Sequence, residues 1–426
     1  MGKKVSILNY GCTANHSHGE IIAGTLKEHG FIVVGEPKES EVIIINSCIV
    51  KSVTENRIKS KIIELTRKHP QKLIILTGCG ADAEYGTFRK INKNMIFVSS
   101  HHVNDIIEAI EEKKDFLGIR KEDKLLKPKK RKNEIVNIVE ISQGCLGNCT
   151  FCITKNARGK LESYDSDKIV REIEKSLNEG CKEIWLTSQD CGCYGLDTKE
   201  NLCTLLEKIG KIEGNFRVRI GMSNPQFIRK FPEELSRILK DDKFFKFLHI
   251  PVQSGSDKIL RLMKRGHTVG DFKKIINAMR INIPDITIST DIIVGFPEET
   301  EADFKESVKL LRDANPDIIN ISKFGARPGT EAKTMKQIDS KKIKERTVLL
   351  GEVAEKIKKE KNKYHIGKAY TILIDEHGKR KNQMIGRSEN YKPVIIETED
   401  ELMGRFVNVK IKEAKETHLL GEIISE

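Results

Sequence analysis

The residues best suited to chemistry in this 426-residue chain are its cysteines, ten in all. Three stand in Cys145-Leu146-Gly147-Asn148-Cys149-Thr150-Phe151-Cys152, a CxxxCxxC spacing on one short segment. Three soft thiolates so close together can hold three irons of a cubane cluster and leave a fourth iron open. A zinc site wants a further Cys or His in ligand register, and His249 and His267 lie in distant segments without such spacing. The second set is spread more widely: Cys12, Cys48 and Cys79, in Asn9-Tyr10-Gly11-Cys12, Asn46-Ser47-Cys48 and Thr77-Gly78-Cys79. Each follows an apolar run that reads as a buried strand. Parallel strands lie about 4.8 Å apart, and their carboxyl ends line one crevice, so three thiols at equivalent strand ends can converge.

These thiols need elements to position them. Residues 1-125 show short apolar runs at Val5-Ser6-Ile7-Leu8, Val42-Ile43-Ile44-Ile45, Leu73-Ile74-Ile75-Leu76 and Met95-Ile96-Phe97-Val98, each followed by a helical pattern. That alternation predicts a parallel sheet covered by helices. Residues 126-133 carry five basic side chains and no acidic one, and form a basic linker that either grips phosphate or is merely solvated. From 134 to 362 strands are expected near 135-141, 183-187, 216-221, 246-250, 286-294 and 317-322, with helices between. Six such units predict an incomplete (β/α)6 barrel with its functional loops at the carboxyl ends of the strands. The charged segment from about 340 to 362 reads as a helix leading out. Residues 363-426 alternate with a period of two, as in Phe406-Val407-Asn408-Val409-Lys410-Ile411-Lys412, and predict a small five-stranded β-barrel. The fold class is thus α/β with an all-β C-terminal domain.

Composition bounds the function. Hydrophobic residues at 38% and charged residues at 32% describe a globular protein and exclude a disordered or fibrous one. No apolar stretch is long enough to span a bilayer, and Met1-Gly2-Lys3-Lys4 opens no signal peptide, so a cytoplasmic protein without membrane contact is expected. Ten cysteines in a reducing compartment then favour metal ligation over disulfides. The net charge of +13 invites a nucleic-acid partner, although residues 363-426 balance at eleven basic and eleven acidic.

The Cys145 segment, with Phe151 before its last cysteine, resembles the radical S-adenosylmethionine (SAM) signature. The resemblance implies that the open iron chelates SAM, and that one electron cleaves it to a 5′-deoxyadenosyl radical. Two three-cysteine sets joined to a C-terminal β-barrel resemble the methylthiotransferase family over nearly the whole chain. The matching stretches include Ala157-Arg158-Gly159, Leu186-Thr187-Ser188-Gln189-Asp190, Pro251-Val252-Gln253-Ser254-Gly255-Ser256, Asp291-Ile292-Ile293-Val294-Gly295-Phe296-Pro297 and Arg327-Pro328-Gly329-Thr330. The C-terminal segment is similar to the family's TRAM domain, which implies tRNA contact. Residues 144-155 resemble most the archaeal and eukaryotic branch, associated with threonylcarbamoyladenosine beside the anticodon. One departure is Asn15-His16-Ser17-His18-Gly19-Glu20, where relatives carry Asp-Ser-Glu at the end. No hydrophobic tail like that of the membrane-anchored eukaryotic relatives is present in the sequence.

The resemblance implies a division of labour. Cys145, Cys149 and Cys152 would hold a 4Fe-4S cluster that generates the radical, and Cys12, Cys48 and Cys79 a second 4Fe-4S cluster that carries sulfur, with a second SAM supplying the methyl group. The reaction would convert N6-threonylcarbamoyladenosine in the tRNA anticodon loop to its 2-methylthio derivative, drawing on an electron donor and a sulfur donor of unknown identity. Gly295 and Phe296 are expected at the SAM pocket, with Phe151, because glycine permits close backbone approach and the segment ends a barrel strand. Gln189, Ser254 and Asp291 are candidates for ribose, carboxylate or substrate contacts. Cys191 and Cys193 are read as loop thiols, Cys181 and Cys203 as core, and His101-His102 as surface or capping residues. Other readings stay open: methylthiolation of another modified adenosine or of a protein side chain, and a non-catalytic iron-sulfur protein for tRNA binding or electron transfer.

Overall fold

A computed structural model describes residues 2–424. The first unit alternates β1 (Lys4–Asn9), α1 (Thr13–Glu28), β2 (Ile32–Val34), β3 (Val42–Ser47), α2 (Ser52–Lys68), β4 (Leu73–Gly78), α3 (Cys79–Ala83), α4 (Tyr85–Ile91), β5 (Ile96–Val98) and α5 (Ile106–Glu112). All its strand pairs are parallel, in the order β2-β1-β3-β4-β5. Strand β3 is buried along its whole length, as a central strand with helices on both faces must be. The winding reverses between β1 and β3, and open α/β sheets bind ligands outside the carboxyl ends of their strands at that switch point. Cys12 follows β1, Cys48 follows β3, and Cys79 opens α3 directly after β4. The edge strand β2 has no counterpart among the expected strands.

The second unit runs β6 (Val136–Glu140), β7 (Ser142–Gln143), α6 (Thr154–Arg158), β8 (Glu162–Ser163), α7 (Ser166–Asn178), β9 (Glu183–Thr187), α8 (Leu202–Gly210), β10 (Arg217–Ile220), α9 (Pro225–Ile228), α10 (Pro232–Ile238), β11 (Phe247–His249), α11 (Asp257–Leu262), α12 (Val269–Asn282), β12 (Thr287–Val294), α13 (Glu301–Ala314), β13 (Ile318–Lys323) and α14 (Ser340–Lys363). Six strands form two parallel three-stranded sheets, β6-β9-β10 and β11-β12-β13, bridged where Val218 meets Phe244 and where the Ser223 amide donates to His249 O at 2.9 Å. Among the described residues no pairing closes β13 onto β6, so the expected incomplete barrel is what forms. Several of its helices begin where side chains cap them, as at α13: Thr300 Oγ1 accepts from the Asp303 amide and the Asp303 carboxylate from the Thr300 amide, at 3.3 and 2.8 Å. The antiparallel pair β7/β8 frames the loop that carries Cys145, Cys149 and Cys152.

Strands β14 (Ala369–His377), β15 (Gln383–Ser388), β16 (Pro393–Glu397), β17 (Phe406–Ala414) and β18 (Leu419–Ile423) close a separate barrel in the order β14-β15-β16-β18-β17. It sits against the amino ends of the larger barrel's strands. Tyr391 packs its ring on Phe245 and Phe247, with centroids 4.7 and 5.1 Å apart, and Lys392 lies 3.4 Å from Asp317. This seam also buries Glu183, whose Oε2 finds no hydrogen-bond partner. Burial, reinforced by the nearby Asp375, pushes the Glu183 carboxyl up to about 8. A carboxyl raised this way contributes stability that is fully present below its unfolded value of about 4.5 and is lost as pH rises through about 8. Glu183→Gln keeps the acceptor for Trp185 Nε1 but cannot ionise. Its advantage over wild type in urea unfolding is expected to be under about 1 kcal/mol at pH 5 and on the order of 4–5 kcal/mol at pH 9. An advantage that does not change between those pH values would mean Glu183 is not the titrating group.

Within the basic stretch 126-133, two of the five charged side chains are tied to the flanking units and do not act as free solvated charges. Lys129 Nζ is buried and donates to Asn137 Oδ1 (3.0 Å), Ile138 O (2.8 Å) and Glu172 Oε1 (2.7 Å). Arg131 pairs with Glu179 at 2.6 Å, and the Lys130 amide donates to Glu20 O at 3.0 Å. The run is a strap that ties α1 to β6 and α7, with Lys129 and Arg131 paired inside the protein and Lys130 and Lys132 exposed. Among the described residues no helix is long and apolar enough to cross a membrane.

Candidate functional site

The carboxyl ends of the two parallel sheets approach each other, and helix α6 joins them. Its flanking residue Ile153 and its own Ala157 are buried in the same apolar cluster as Cys79, Ala81 and Phe88 of the first unit. The segment that immediately follows Cys152 is therefore part of the neighbouring unit's core. A second tie comes from the loop after β13. Arg327 donates to Ile49 O (2.6 Å) and Ser52 Oγ (3.0 Å) and pairs with Glu55, just beyond Cys48.

Around Cys12, Cys48 and Cys79 the backbone is shaped for close approach. Gly11 has φ +104°, and a Cβ there would lie 2.4 Å from the Cys48 Cβ, so only glycine lets the loop after β1 reach the loop after β3. Burial pushes the Cys48 thiol up to about 11, and the neighbouring Cys79 and Cys12 add to the shift. The three sulfurs thus share one electrostatic environment. In the barrel, the Cys145 and Cys149 sulfurs flank Gly147, and the Gly144 amide is held by Gln189 Oε1 at 2.6 Å.

Four arginines are buried among the described residues: Arg158, Arg265, Arg327 and Arg346. Arg327 and Arg346 each pair with a carboxylate, Glu55 and Glu299. The other two have no carboxylate within 4.0 Å and instead donate to sulfur, Arg158 Nε to Cys79 Sγ and Arg265 Nη1 to Cys149 Sγ, each at 3.2 Å. Each triad thus has a fixed positive charge set against one of its sulfurs, the complement of an anionic group held there. Neither triad gathers its three sulfurs within 4.8 Å, whereas thiolates 2.3 Å from one tetrahedral zinc stand about 3.8 Å apart. Three thiolates spread more widely and facing a guanidinium fit a multi-iron cluster.

The other expected site residues fall into two groups. Gln189 and Asp291 lie at the mouth. Gln189 braces the cysteine loop, and Asp291 accepts from Asn320 Nδ2 (2.8 Å) and lies 3.1 Å from His249 Nε2. Phe296, Gly295 and Ser254 have supporting contacts. Phe296 is fully buried and stacks edge-on against Phe151, with centroids 6.4 Å apart, so its ring backs the cysteine loop. Gly295 has φ +78°, and a Cβ there would sit 2.4 Å from Ile343 of α14, so packing alone requires glycine. Ser254 Oγ accepts from the Ser256 amide in the turn that opens α11.

Two residues depart from the sequence reading. His101 is buried rather than superficial, with Nδ1 3.0 Å from Arg120 O and Nε2 3.1 Å from Ala157 O. Cys193 is fully buried, and its sulfur, a carboxylate oxygen of Asp190 and the Cys145 sulfur all lie within 4.8 Å of one another.

The same three units are matched by family models: the Radical SAM superfamily over residues 139–311, the Uncharacterized protein family UPF0004 over 4–99, and the TRAM domain over 363–424. The chain is 40% identical over 430 residues to the probable threonylcarbamoyladenosine tRNA methylthiotransferase of Pyrococcus horikoshii, covering 99% of this chain and 100% of that one. It is 35% identical to the threonylcarbamoyladenosine tRNA methylthiotransferase of Homo sapiens, covering all of this chain and 74% of that one. The chain belongs to the radical SAM methylthiotransferases. Among solved structures it is similar to the radical SAM methyltransferase TsrM of Kitasatospora setae with cobalamin and a [4Fe-4S] cluster bound, at TM-score 0.57 and 14% identity over 78% of this chain and 77% of that one. That likeness concerns the fold alone. In this methylthiotransferase, then, the two sulfur sites sit on separate α/β units, and the residues that lock those units together are placed immediately after the cysteines of each.

Proposed function

We propose that this chain methylthiolates N6-threonylcarbamoyladenosine next to the anticodon of tRNA. The observation that carries the reading is the pair of three-thiol sites, each with its own buried arginine, at the facing carboxyl ends of two parallel sheets. Cys145, Cys149 and Cys152 would hold one 4Fe-4S cluster and Cys12, Cys48 and Cys79 the other. The C2 position of adenine is neither acidic nor open to ordinary nucleophiles, and the bound groups supply what it lacks: a radical from SAM at the barrel's open iron and a sulfur at the second open iron.

The protein's own residues bind, orient and exclude water. Arg265 donates to the Cys149 sulfur, while Gln189 fixes the start of the cysteine loop through the Gly144 amide. Phe151 and Phe296 back that loop with apolar surface. Asp291, held by Asn320, and Gln189 are the polar groups at the mouth available to SAM or to the base, which must leave its stack to enter. Because the TRAM barrel rests at the opposite end of the strands, tRNA engaged by it has to reach around the larger barrel to present its anticodon loop. An electron donor and a sulfur donor would be needed for each turnover, and a tRNA substrate fits a cytoplasmic enzyme.

Nucleoside mass spectrometry of tRNA from cells with and without the protein tests the reading. Loss of the 2-methylthio derivative with accumulation of N6-threonylcarbamoyladenosine is expected on deletion. A full complement of the methylthio nucleoside in the deleted strain would overturn it.

A further inference from the structure

Arg158 is the last residue of α6 and stands six positions after Cys152, on the barrel side of the boundary. Its side chain nevertheless ends among residues of the first unit. The guanidinium donates from Nη2 to Asn15 Oδ1 at 2.6 Å and from Nε to Cys79 Sγ at 3.2 Å, and Nη1 lies 3.4 Å from His18 Nδ1. Asn15 itself is pinned to that sheet, donating to Tyr10 O (3.0 Å) and Ser47 O (2.7 Å), in the loops that present Cys12 and Cys48. The fork is therefore aimed by the cysteine loops themselves.

The carboxylate whose charge most supports this cation, Glu140, makes no direct contact with it. Glu140, at the end of β6, is taken up by His18 Nε2 at 2.9 Å and by Lys124 at 3.7 Å. His18 so placed bridges Glu140 and the guanidinium with its two ring nitrogens. What directly faces the cation is the Cys79 sulfur. Hydrogen bonds to ligand sulfurs and the net charge around a cluster are the levers by which a protein sets its potential.

We propose that Arg158 is a positioning and tuning residue for the second cluster site: contributed by the radical SAM unit, it supplies the positive charge that sets the reduction potential of the group held by Cys12, Cys48 and Cys79. The proposal rests on the two-cluster reading given above. A fixed positive charge bonded to a ligand sulfur favours the state with one more electron, so removing it makes the potential more negative. It also means that the N-terminal sulfur site is incomplete until the barrel's α6 has docked.

The test uses the full-length chain with Cys145, Cys149 and Cys152 replaced by Ala, so that only the second site reports. Iron content comes first: a parent protein without about four irons overturns the two-cluster reading, and the proposal with it. Redox titration followed by electron paramagnetic resonance then compares the parent with Arg158→Met and Arg158→Lys. Arg158→Met should shift to a more negative midpoint, with at least a tenfold fall in the reduced-to-oxidised ratio at the parent's midpoint, about 59 mV for one electron. Lysine keeps the charge but cannot satisfy Cys79, Asn15 and His18 at once, so Arg158→Lys should fall between the two. A purely structural Arg158 would alter stability and leave the midpoint alone. An unchanged midpoint in a variant that retains its iron overturns the proposal while leaving the two clusters standing. Should Arg158→Met fail to retain iron, the Lys variant decides.

Discussion

Protein reconstituted anaerobically with iron and sulfide is expected to hold about eight irons per chain, and about four when either Cys12, Cys48 and Cys79 or Cys145, Cys149 and Cys152 are replaced by Ala. The expectation follows from the independence of the two sites. One is built at the switch point of a five-stranded parallel sheet, the other on a loop framed by the β7/β8 pair, and the two share no ligand. Each also carries its own buried cation, Arg158 or Arg265, which has no carboxylate within 4.0 Å among the described residues and donates to a triad sulfur. Losing one set of thiolates leaves the other set's geometry and countercharge in place. Iron, zinc and acid-labile sulfide measured per chain, for wild type and both triple variants, check this. A wild-type protein that takes up only one cluster, or binds zinc stoichiometrically in place of iron, would sink the two-cluster reading.

What the sequence made legible here was local, and what it concealed was long-range. Strand β9 at Glu183–Thr187 matches the expected 183-187, and α13 begins after the expected Thr300, because β-rich runs and capping boxes are written within a few residues. The three scattered cysteines were readable for the same reason: each sits just beyond an apolar run, and parallel strands bring equivalent ends together. Lys129 within 126-133 was not legible, because a charge run reads as solvated unless its partners are known, and those of Lys129 lie on β6 and α7. His101 misled likewise, since its burial depends on Arg120, Gln143 and Ala157 from later in the chain. Arg158 and Arg327 lay within stretches that resembled the family, Ala157-Arg158-Gly159 and Arg327-Pro328-Gly329-Thr330, yet no local pattern says that an arginine will cross a domain boundary. Cys193 meets Cys145 across two different strand ends, a proximity that spacing alone cannot express.

A variant with Cys12, Cys48 and Cys79 all replaced by Ala is expected to cleave SAM and to leave tRNA without the methylthio group. Reductive cleavage needs one open iron to chelate SAM and one electron, and every residue proposed for that step, Cys145, Cys149, Cys152, Gln189 and Arg265, belongs to the barrel. Forming the carbon-sulfur bond needs in addition a sulfur held near C2, which is the role proposed for the second triad. The two units remain joined in this variant through Arg327 and the strap, neither of which involves a cysteine. Arg158 loses its sulfur acceptor but keeps Asn15 and His18, so α6 keeps its seat. The variant is incubated with reductant, SAM and threonylcarbamoyl-modified tRNA, and 5′-deoxyadenosine and modified nucleoside are quantified in the same reaction. Wild type should yield both products. The variant's methylthio nucleoside should fall below detection while its 5′-deoxyadenosine stays within about tenfold of wild type, a change of no more than about 1.4 kcal/mol in the barrier to cleavage. Methylthiolated tRNA from the variant would refute sulfur delivery by the second triad. Loss of 5′-deoxyadenosine with about four irons still bound would show that the two sites act as one unit, coupled across the buried path from Cys152 through α6 to Cys79.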